Sequence, residues 1–511
     1  MRNYKFIWCL FFCFIFFESS AQFYINKSFD FWKYDIGVNV LDYKDNCLVM
    51  AASDTDSYGR ITRFILMEDN GDVQDDLFFR YYMRSEYYGW IGSTKMMGDK
   101  IYYAGSEHDT SGKNIGTIFK GRAFSLDTFM YRITNKGVLL YDLDIVTKNR
   151  IIVSGLVSTD SNFWNIAYYF AMLDTVGNIL WERQYFNDST SNYGISVTYT
   201  FDGKFIASGM KLLSYKTNNY NWDYYDEAMQ LMVLDTNGNM LIDTILNSPY
   251  QDAAGTLITT NTGEVVGTFG YALNDERPGE VRPKLFSFGT DGKMRWIKDI
   301  RQDVWDNYFW GLIKTRNGDI IAAGSTYPNG ISYNEQGWMC RFDKEGNKLW
   351  DRKYTIPDGI NHYFYDVCEM PNGDLAATGW VSYDDARNQD IWFVRTDSFG
   401  CLEPNCQYND GMPVLANNIE VITMPNPFKN TITLRIWCNN LTDPIDLTLY
   451  NVNGKKVFTQ SAMPTAFTSI QDNTTKGYAE INIDTRAFAA GMYVYRVAQK
   501  KESVSGKIIK Q

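Results

Sequence analysis

The sequence predicts an all-β protein, and three observations lead to that fold class. Aromatic residues make up 16% of the 511 residues, with 36 Tyr, 32 Phe and 14 Trp, and aromatic side chains favour half-buried strands. Apolar and polar residues alternate through stretches such as 338–354, as they do in strands with one buried face. Turns that contain Gly recur along the chain, and their Asn-Gly and Asp-Gly pairs supply the positive φ that tight hairpins need.

Two signatures alternate along most of the chain. The first is a Gly turn between two strands, as in LDTNGNM, and it occurs at 67–73, 133–139, 173–179, 234–240, 289–294, 342–348 and 396–402. The second is a strand that ends in Gly, as in NGDIIAAG, with its copies at 44–53, 98–105, 148–155, 202–209, 262–270, 317–324 and 372–379. Gly238, Gly292, Gly346 and Gly400 follow one another at equal steps of 54 residues. A fixed period of this size, with about four strands per unit, predicts a seven-bladed β-propeller.

Each repeat is expected to supply four strands, a to d, to one blade. In the sixth repeat these are 308–318, 318–327, 337–346 and 347–355. The seventh repeat has a poor strand d, whereas residues 23–30, FYINKSFD, read as an isolated strand d. We therefore expect residues 23–30 to pair with strand c of the seventh repeat and close the ring, because closure removes exposed sheet edges.

The first 21 residues are expected to form a secretory signal peptide. Two basic residues precede an apolar run at 6–17, and small residues at 19–21 precede Gln22. This run is too short for a membrane span. We predict cleavage after Ala21 and no membrane span in the mature chain.

The sequence after about residue 410 lacks the repeat signatures and carries three other motifs. These are Pro425-Asn426-Pro427, Asn453-Gly454-Lys455 and Gly491-Met492-Tyr493, followed by a Lys-rich end. In this order they resemble the type A C-terminal sorting domain of the type IX secretion system of Bacteroidetes-type bacteria. The resemblance implies a small β-sandwich that directs passage across the outer membrane, and hence the type IX machinery as a partner and a secreted or outer-membrane surface location. The expected domains are a signal peptide at 1–21, a propeller at 22–410, a linker at 411–420 and a sorting domain at 421–511.

Candidate ligand-binding residues occur in the long segment 211–228. They are Tyr220, Trp222, Asp223, Tyr224 and Tyr225. Aromatic rings stack on sugar faces and carboxylates accept hydrogen bonds from hydroxyl groups, so this cluster predicts a glycan or surface-protein ligand, with ordinary packing as the alternative. A second aromatic set lies where strand a begins and comprises Tyr87, Tyr88, Trp90, Tyr193, Tyr308, Phe309, Trp310, Tyr363, Phe364 and Tyr365. Recurrence at one repeat position favours packing between blades for this second set.

The net charge and the lack of catalytic motifs restrict the classes of function that the protein could have. A net charge of -11 argues against a nucleic-acid partner, since phosphate binding needs clustered Lys and Arg. His108 and His362 are the only histidines, and neither a His-Glu-x-x-His nor a Gly-x-Ser-x-Gly motif occurs. We therefore predict a non-catalytic binding protein without a metal or other cofactor. Polysaccharide cleavage by paired carboxylates and an adhesin-like structural role are the alternatives.

Six cysteines remain after removal of the signal peptide. Cys401 and Cys406 are close enough in sequence to form a disulfide across a local loop, and export permits disulfides. The alternative is that both are buried free thiols.

Overall fold

A computed structural model gives the structure of the protein. It describes residues 24–510 apart from 32–33, 56–58, 69, 80–92, 109–113, 123–128, 134–136, 159–165, 187–191, 218–222, 249–251, 273–280, 301–307, 328–333, 385–388, 404–405, 407–418, 425–427, 439, 452–454, 469–474 and 501. The predicted signal peptide and most of the predicted linker lie outside these residues. The chain divides into two compact units, Met1–Glu403 and Pro404–Gln511.

Every regular element among the described residues is a β-strand. The first half of the first unit contains β1 (Ile25–Phe29), β2 (Tyr34–Tyr43), β3 (Asn46–Thr55), β4 (Gly59–Met67), β5 (Val73–Phe79), β6 (Thr94–Met97), β7 (Lys100–His108), β8 (Asn114–Gly121), β9 (Phe129–Ile133), β10 (Gly137–Thr147), β11 (Arg150–Ser158), β12 (Ile166–Asp174) and β13 (Ile179–Tyr185). The second half contains β14 (Asn192–Tyr199), β15 (Phe205–Thr217), β16 (Asp223–Leu234), β17 (Met240–Leu246), β18 (Asp252–Thr259), β19 (Val265–Ala272), β20 (Val281–Phe288), β21 (Met294–Asp299), β22 (Tyr308–Lys314), β23 (Ile320–Thr326), β24 (Gln336–Phe342), β25 (Lys348–Tyr354), β26 (Asn361–Glu369), β27 (Leu375–Ser382) and β28 (Gln389–Thr396). In this part of the chain no helix is long and apolar enough to cross a membrane.

The strands of the first unit form antiparallel groups of four. Five groups are separate sheets, β6 to β9, β10 to β13, β14 to β17, β18 to β21 and β22 to β25. The remaining two groups are β2 to β5 and β26 to β28 with β1, and a single parallel pair, Tyr34 with Gln389, joins them into one eight-stranded sheet. Four-stranded antiparallel groups in chain order are typical of propeller blades. The all-β fold class is confirmed, and we refer to the groups as blades one to seven, with β2 to β5 as blade one.

Blade seven takes its outer strand from the start of the chain. β1 pairs antiparallel with β28, with Ile25 opposite Arg395 and Phe29 opposite Ile391. Strand a of blade one, β2, also contacts β26 and β27 of blade seven. The first strand of the described chain thus lies beside its last propeller strands, and blade one meets blade seven.

The glycine of the first signature allows neighbouring blades to pack closely. Its turn has a positive φ, as at Gly346, where φ is 78°. A tryptophan on strand d of the preceding blade lies against this glycine, so that a Cβ added there would be 2.5 to 2.8 Å from the indole. The pairs are Trp181 with Gly238, Trp296 with Gly346 and Trp350 with Gly400. The repeat therefore preserves a contact between blades, and these three tryptophans are half-buried.

The aspartate of the first signature builds the same turn. In blade six the Asp343 carboxylate accepts hydrogen bonds from the backbone N–H of Glu345 at 3.0 Å and of Asn347 at 2.8 Å, and from Asn347 Nδ2 at 2.9 Å. Asp174 and Asp235 make the same contacts with Asn178 and Asn239. These carboxylates are therefore engaged in the turns that connect strand c to strand d.

Buried carboxylates on strand a connect some of the blades. Asp142 Oδ2 accepts hydrogen bonds from Ser196 Oγ at 2.6 Å and from the backbone N–H of Val197 at 3.0 Å, both on the next blade. Asp366 Oδ2 accepts one from the backbone N–H of Val40 at 3.0 Å. Loss of hydration raises the pKa of Asp142 to about 7 and that of Asp366 to about 6, although these hydrogen bonds oppose the rise.

The raised pKa values predict that the free energy of unfolding falls as pH rises from about 4 to about 7. In this range the folded protein keeps protons on Asp142 and Asp366 that the unfolded chain has released, so the folded state binds more protons. Asp142→Asn removes one such group and is expected to reduce the slope by up to about 1.4 kcal/mol per pH unit. Urea denaturation at several pH values measures the slope.

Asp202→Asn is the control for this pH experiment. Asp202 is exposed. Partial loss of hydration raises its pKa, but hydrogen bonds from Thr200 and Thr290 outweigh this effect and lower the pKa to about 2. Its removal should leave the slope above about pH 5 unchanged, because Asp202 is ionised there in both the folded and the unfolded chain. If the unfolding free energy of the Asp142→Asn protein had the same pH dependence as that of the parent, the raised pKa of Asp142 would be contradicted.

The second unit is a sandwich of two four-stranded sheets. Its strands are β29 (Ile419–Met424), β30 (Thr431–Cys438), β31 (Ile445–Asn451), β32 (Lys456–Ala462), β33 (Thr465–Thr468), β34 (Thr475–Asp484), β35 (Gly491–Gln499) and β36 (Glu502–Lys510). One sheet has the order β29-β30-β34-β33 and the other β32-β31-β35-β36. Alternate residues of β30, β31, β34 and β35 are buried in one apolar core, as expected where two sheets pack face to face.

Candidate functional site

Aromatic residues begin strand a in blades six and seven, and the middle residue of each triplet is core. Phe309 and Phe364 are buried. Phe309 stacks on Trp338 with ring centroids 4.4 Å apart, and Phe364 stacks on Trp392 at 4.3 Å. The structure thus gives these two phenylalanines the packing role that the sequence favours for the whole set.

The flanking aromatic residues form a separate group, which we call the aromatic cluster: Tyr308, Trp310, Tyr363, Tyr365 and Trp380. Tyr308 stacks on Trp310 at 5.5 Å and Tyr363 on Trp380 at 4.2 Å. Trp310 meets Tyr365 of the next blade edge-on at 5.9 Å, and Trp380 Nε1 donates to the Tyr365 hydroxyl at 3.4 Å, so Tyr365 joins the two pairs. All five residues are half-buried. They lie at the end of the blades where strand b leads to strand c.

The glycine that ends the second signature makes room for this cluster. A Cβ added to Gly324 would be 1.7 Å from the carbonyl oxygen of Tyr308, and one added to Gly379 would be 1.7 Å from that of Tyr363. At the same place strand a has a β-bulge, whose extra residue is Trp310 in blade six and Tyr365 in blade seven. Bulges re-aim side chains, so the repeat glycine and the bulge together position the aromatic residues.

A buried carboxylate lies beside the cluster. Glu335 is 1% exposed, and its side chain is hydrogen-bonded to the Tyr363 hydroxyl. Burial first, and then the Glu335 carboxylate, raise the pKa of Tyr363, so its hydroxyl is protonated at neutral pH. The Glu335 carboxylate therefore holds the Tyr363 hydroxyl in place within the cluster.

His362 fixes the backbone around Glu335. Its Nε2 accepts a hydrogen bond from the Ile356 N–H at 3.0 Å, so the ring proton is on Nδ1, which donates to the Glu335 carbonyl oxygen at 2.9 Å. Burial lowers the pKa of His362 and keeps the ring neutral. The histidine is therefore committed to this backbone contact.

A cleft between blades five and six adjoins the cluster. Its cavity volume is about 50 Å³. Tyr308 and Trp310 line one side, with Thr256, Phe269 and Pro283 among the residues on the other.

The structure describes only part of the segment that the sequence favours for ligand binding. Tyr220 and Trp222 lie outside the described residues. Asp223, Tyr224 and Tyr225 begin β16 and pair with β15, so their backbone belongs to a hairpin. Ligand binding at these five residues stays a prediction.

The sorting motif is also described in part. Pro425, Asn426, Pro427, Asn453 and Gly454 lie outside the described residues. The Lys455 N–H donates to Asn451 Oδ1 at 2.9 Å in a turn. Gly491 begins β35 with a φ of 143°. Tyr493 is buried, and its hydroxyl donates to the Ala489 carbonyl oxygen at 2.8 Å.

The cysteines fall into two classes. Cys401 and Cys406 are disulfide-bonded, whereas Cys47, Cys340, Cys368 and Cys438 are thiols. Among the described residues, no group of three or more His, Cys, Asp or Glu side chains could hold a metal ion.

Two residues of the site, Trp380 and Glu335, are not among those predicted from the sequence. Trp380 directly follows the glycine of the second signature, Gly379, and this position was a usable signal. Glu335 precedes strand c and has no motif around it, so only the fold shows that it meets Tyr363.

Comparison with known proteins identifies the second unit. Residues 423–511 match the family described as the secretion system C-terminal sorting domain, whereas no curated protein matches the chain. Among solved structures, the chain is similar to the plexin A4 extracellular region with 7% identity and a TM-score of 0.43, covering 95% of this chain and 67% of that chain. It spans 53% of a second plexin A4 structure.

Enzymes also occur among the similar structures. An α-L-arabinofuranosidase from Fusarium graminearum has 9% identity and a TM-score of 0.40, over 73% of this chain and 98% of that chain. Similarities this distant carry no argument about activity. Residues 423–511 are a sorting domain, and the chain is exported by the type IX secretion system to the cell surface or the extracellular space.

Proposed function

We propose that the propeller binds a glycan at the aromatic cluster without cleaving it. The observation that carries the proposal is the arrangement of five half-buried aromatic side chains in mutual contact beside the buried Glu335. Flat aromatic surfaces with a nearby carboxylate suit sugar rings, which have one apolar face and a rim of hydroxyl groups. Export places such a surface where extracellular glycans occur.

The absence of catalysis is part of the proposal, and the role of other buried carboxylates supports it. Asp35 Oδ2 accepts the Phe31 N–H at 2.8 Å, and Asp252 Oδ2 accepts the Ser248 N–H at 2.7 Å. Both residues lie near the start of strand a, where they hold the loop that precedes it. Glycoside cleavage needs two carboxyl groups that flank one bond, and these two serve separate loops.

The test measures glycan binding by the whole mature chain and two variants. A glycan array identifies a ligand, and calorimetry gives its affinity. Trp380→Ala removes half of a stacked pair and is expected to weaken binding at least about tenfold, as for a binding hot spot. Tyr363→Phe keeps the ring but removes the hydroxyl that meets Glu335, and we expect a smaller loss.

Phe399→Ala is the matched control. Phe399 is an exposed aromatic residue in the turn that follows strand c of blade seven, at the opposite end of the blades from the cluster. This variant should bind like the parent. Equal loss in Phe399→Ala and Trp380→Ala would contradict the site. Release of reducing ends would contradict the lack of catalysis, and binding to surface proteins alone would contradict the glycan ligand.

A further inference from the structure

Three sulfur atoms meet where blade one joins blade seven. We call Cys47, Cys368 and Met370 the sulfur cluster. Met370 Sδ lies 3.5 Å from Cys47 Sγ and 3.9 Å from Cys368 Sγ. Cys47 starts strand b of blade one, whereas Cys368 is near the end of strand a of blade seven and Met370 follows that strand. The cluster therefore brings together residues more than 300 positions apart in the chain.

The thioether is held in place by its backbone. The Met370 N–H donates to the Asp374 carbonyl oxygen at 2.8 Å, and the Met370 carbonyl oxygen accepts from the Gly373 N–H at 2.9 Å and from Arg316 Nη1. Met370 is fully buried among apolar residues. Its sulfur therefore occupies a defined position.

The spacing and ligand types suit a soft monovalent ion. Three sulfurs about 2.3 Å from one metal ion in a trigonal plane are about 4 Å apart, and both Met370 distances are close to this value. Thiolate and thioether ligands favour Cu(I). We propose that Cys47, Cys368 and Met370 form a binding site for Cu(I), a function beyond the proposed glycan binding.

Binding replaces two S–H bonds by two Cu–S bonds. Both protons go to solvent, the thioether of Met370 adds as a neutral third ligand, and the copper keeps its oxidation state. The bound centre carries one negative charge. Cys368 is half-buried, so the cluster adjoins solvent.

The sequence predicts no metal from its histidine content and its lack of zinc motifs, and neither of these bears on a thioether ligand. The three residues lie in two different repeats, so their spacing in the chain gives no motif, and only closure of the ring brings them together.

The test titrates the whole mature chain, reduced and without oxygen, with Cu(I) supplied from its bicinchoninate complex. One Cu(I) per chain is expected to transfer to the protein. The melting temperature should rise, because an ion bound only to the folded state stabilises that state. Met370→Leu keeps the side-chain volume. We expect it to weaken Cu(I) binding at least about tenfold, because even the loss of a residue that only hydrogen-bonds to a metal ligand lowers metal affinity by about that factor.

Two matched variants in blade six serve as controls. Met339→Leu changes a buried methionine and Cys340→Ser a buried thiol away from the cluster, and both should bind Cu(I) like the parent. A parent protein that takes up no Cu(I), or that loses it equally in Met339→Leu and Met370→Leu, would overturn the proposal. So would isolation of the parent with Cys47 and Cys368 joined in a disulfide, since a disulfide supplies no thiolate.

Discussion

Ile25→Ala is expected to lower the free energy of unfolding of the propeller by about 2–5 kcal/mol, the usual cost of truncating a buried isoleucine. Ile25 is 3% exposed. Its side chain covers Gly71 of blade one, where an added Cβ would be 2.6 Å from Ile25 Cγ2. It therefore occupies the position that the strand-d tryptophans occupy between other blades. Urea denaturation followed by tryptophan fluorescence measures the change.

The effect of Ile25→Ala should reach beyond the lost side chain, because Ile25 is the one fully buried residue of the five-residue strand β1. Asn26 Nδ2 donates to the Thr355 carbonyl oxygen, and Asn26 Oδ1 accepts from Trp392 Nε1, both at 2.8 Å. If β1 separates, the backbone edge of β28 loses its partner. We therefore expect strand β1 to be cut by proteases sooner in the variant than in the parent.

Val73→Ala is the control for Ile25→Ala. Val73 lies on strand d of blade one and is 38% exposed, so its truncation should cost about 0.5 kcal/mol or less. A comparable loss in both variants would show that outer strands tolerate truncation equally, and it would argue against a special role of Ile25 in joining the first and last blades.

The sequence predicts the local structure well because each repeat contains its own turn chemistry. Asp343 and Gly346 determine one turn between strands c and d, and a reader of the sequence sees both residues. The reason for the glycine was not visible, since Trp296 reaches it from the preceding blade. The sequence therefore shows the period of the repeat, whereas the structure shows why the glycine recurs in it.

The candidate site was harder to predict because it depends on contacts between blades. Tyr308, Trp310, Tyr363 and Tyr365 recur at one repeat position, and recurrence suggested packing alone. The structure separates them from Phe309 and Phe364, because alternate side chains of a strand point to opposite faces. Glu335 joins them only through its contact with Tyr363. Recurrence of aromatic residues at one repeat position is thus not enough to exclude a binding role.

Gly346→Ala is expected to cost about 2–5 kcal/mol, from two separate causes. A φ of 78° costs a residue with a Cβ about 1–2 kcal/mol. The new methyl group would also lie 2.6 Å from the Trp296 indole, and such overpacking typically costs about 1–3 kcal/mol. Urea denaturation gives the total.

Gly203→Ala separates the two causes. Gly203 has a similar φ of 85°, but the nearest atom to an added Cβ is 3.9 Å away, so only the backbone cost applies. In the double variant Trp296→Leu with Gly346→Ala, the smaller side chain should relieve the clash and make the combined loss less than the sum of the single losses. Two results together would contradict a role for the contact between blades: equal losses of unfolding free energy for Gly203→Ala and Gly346→Ala, and strictly additive losses in the double variant. The repeat glycine would then be required by the turn conformation alone.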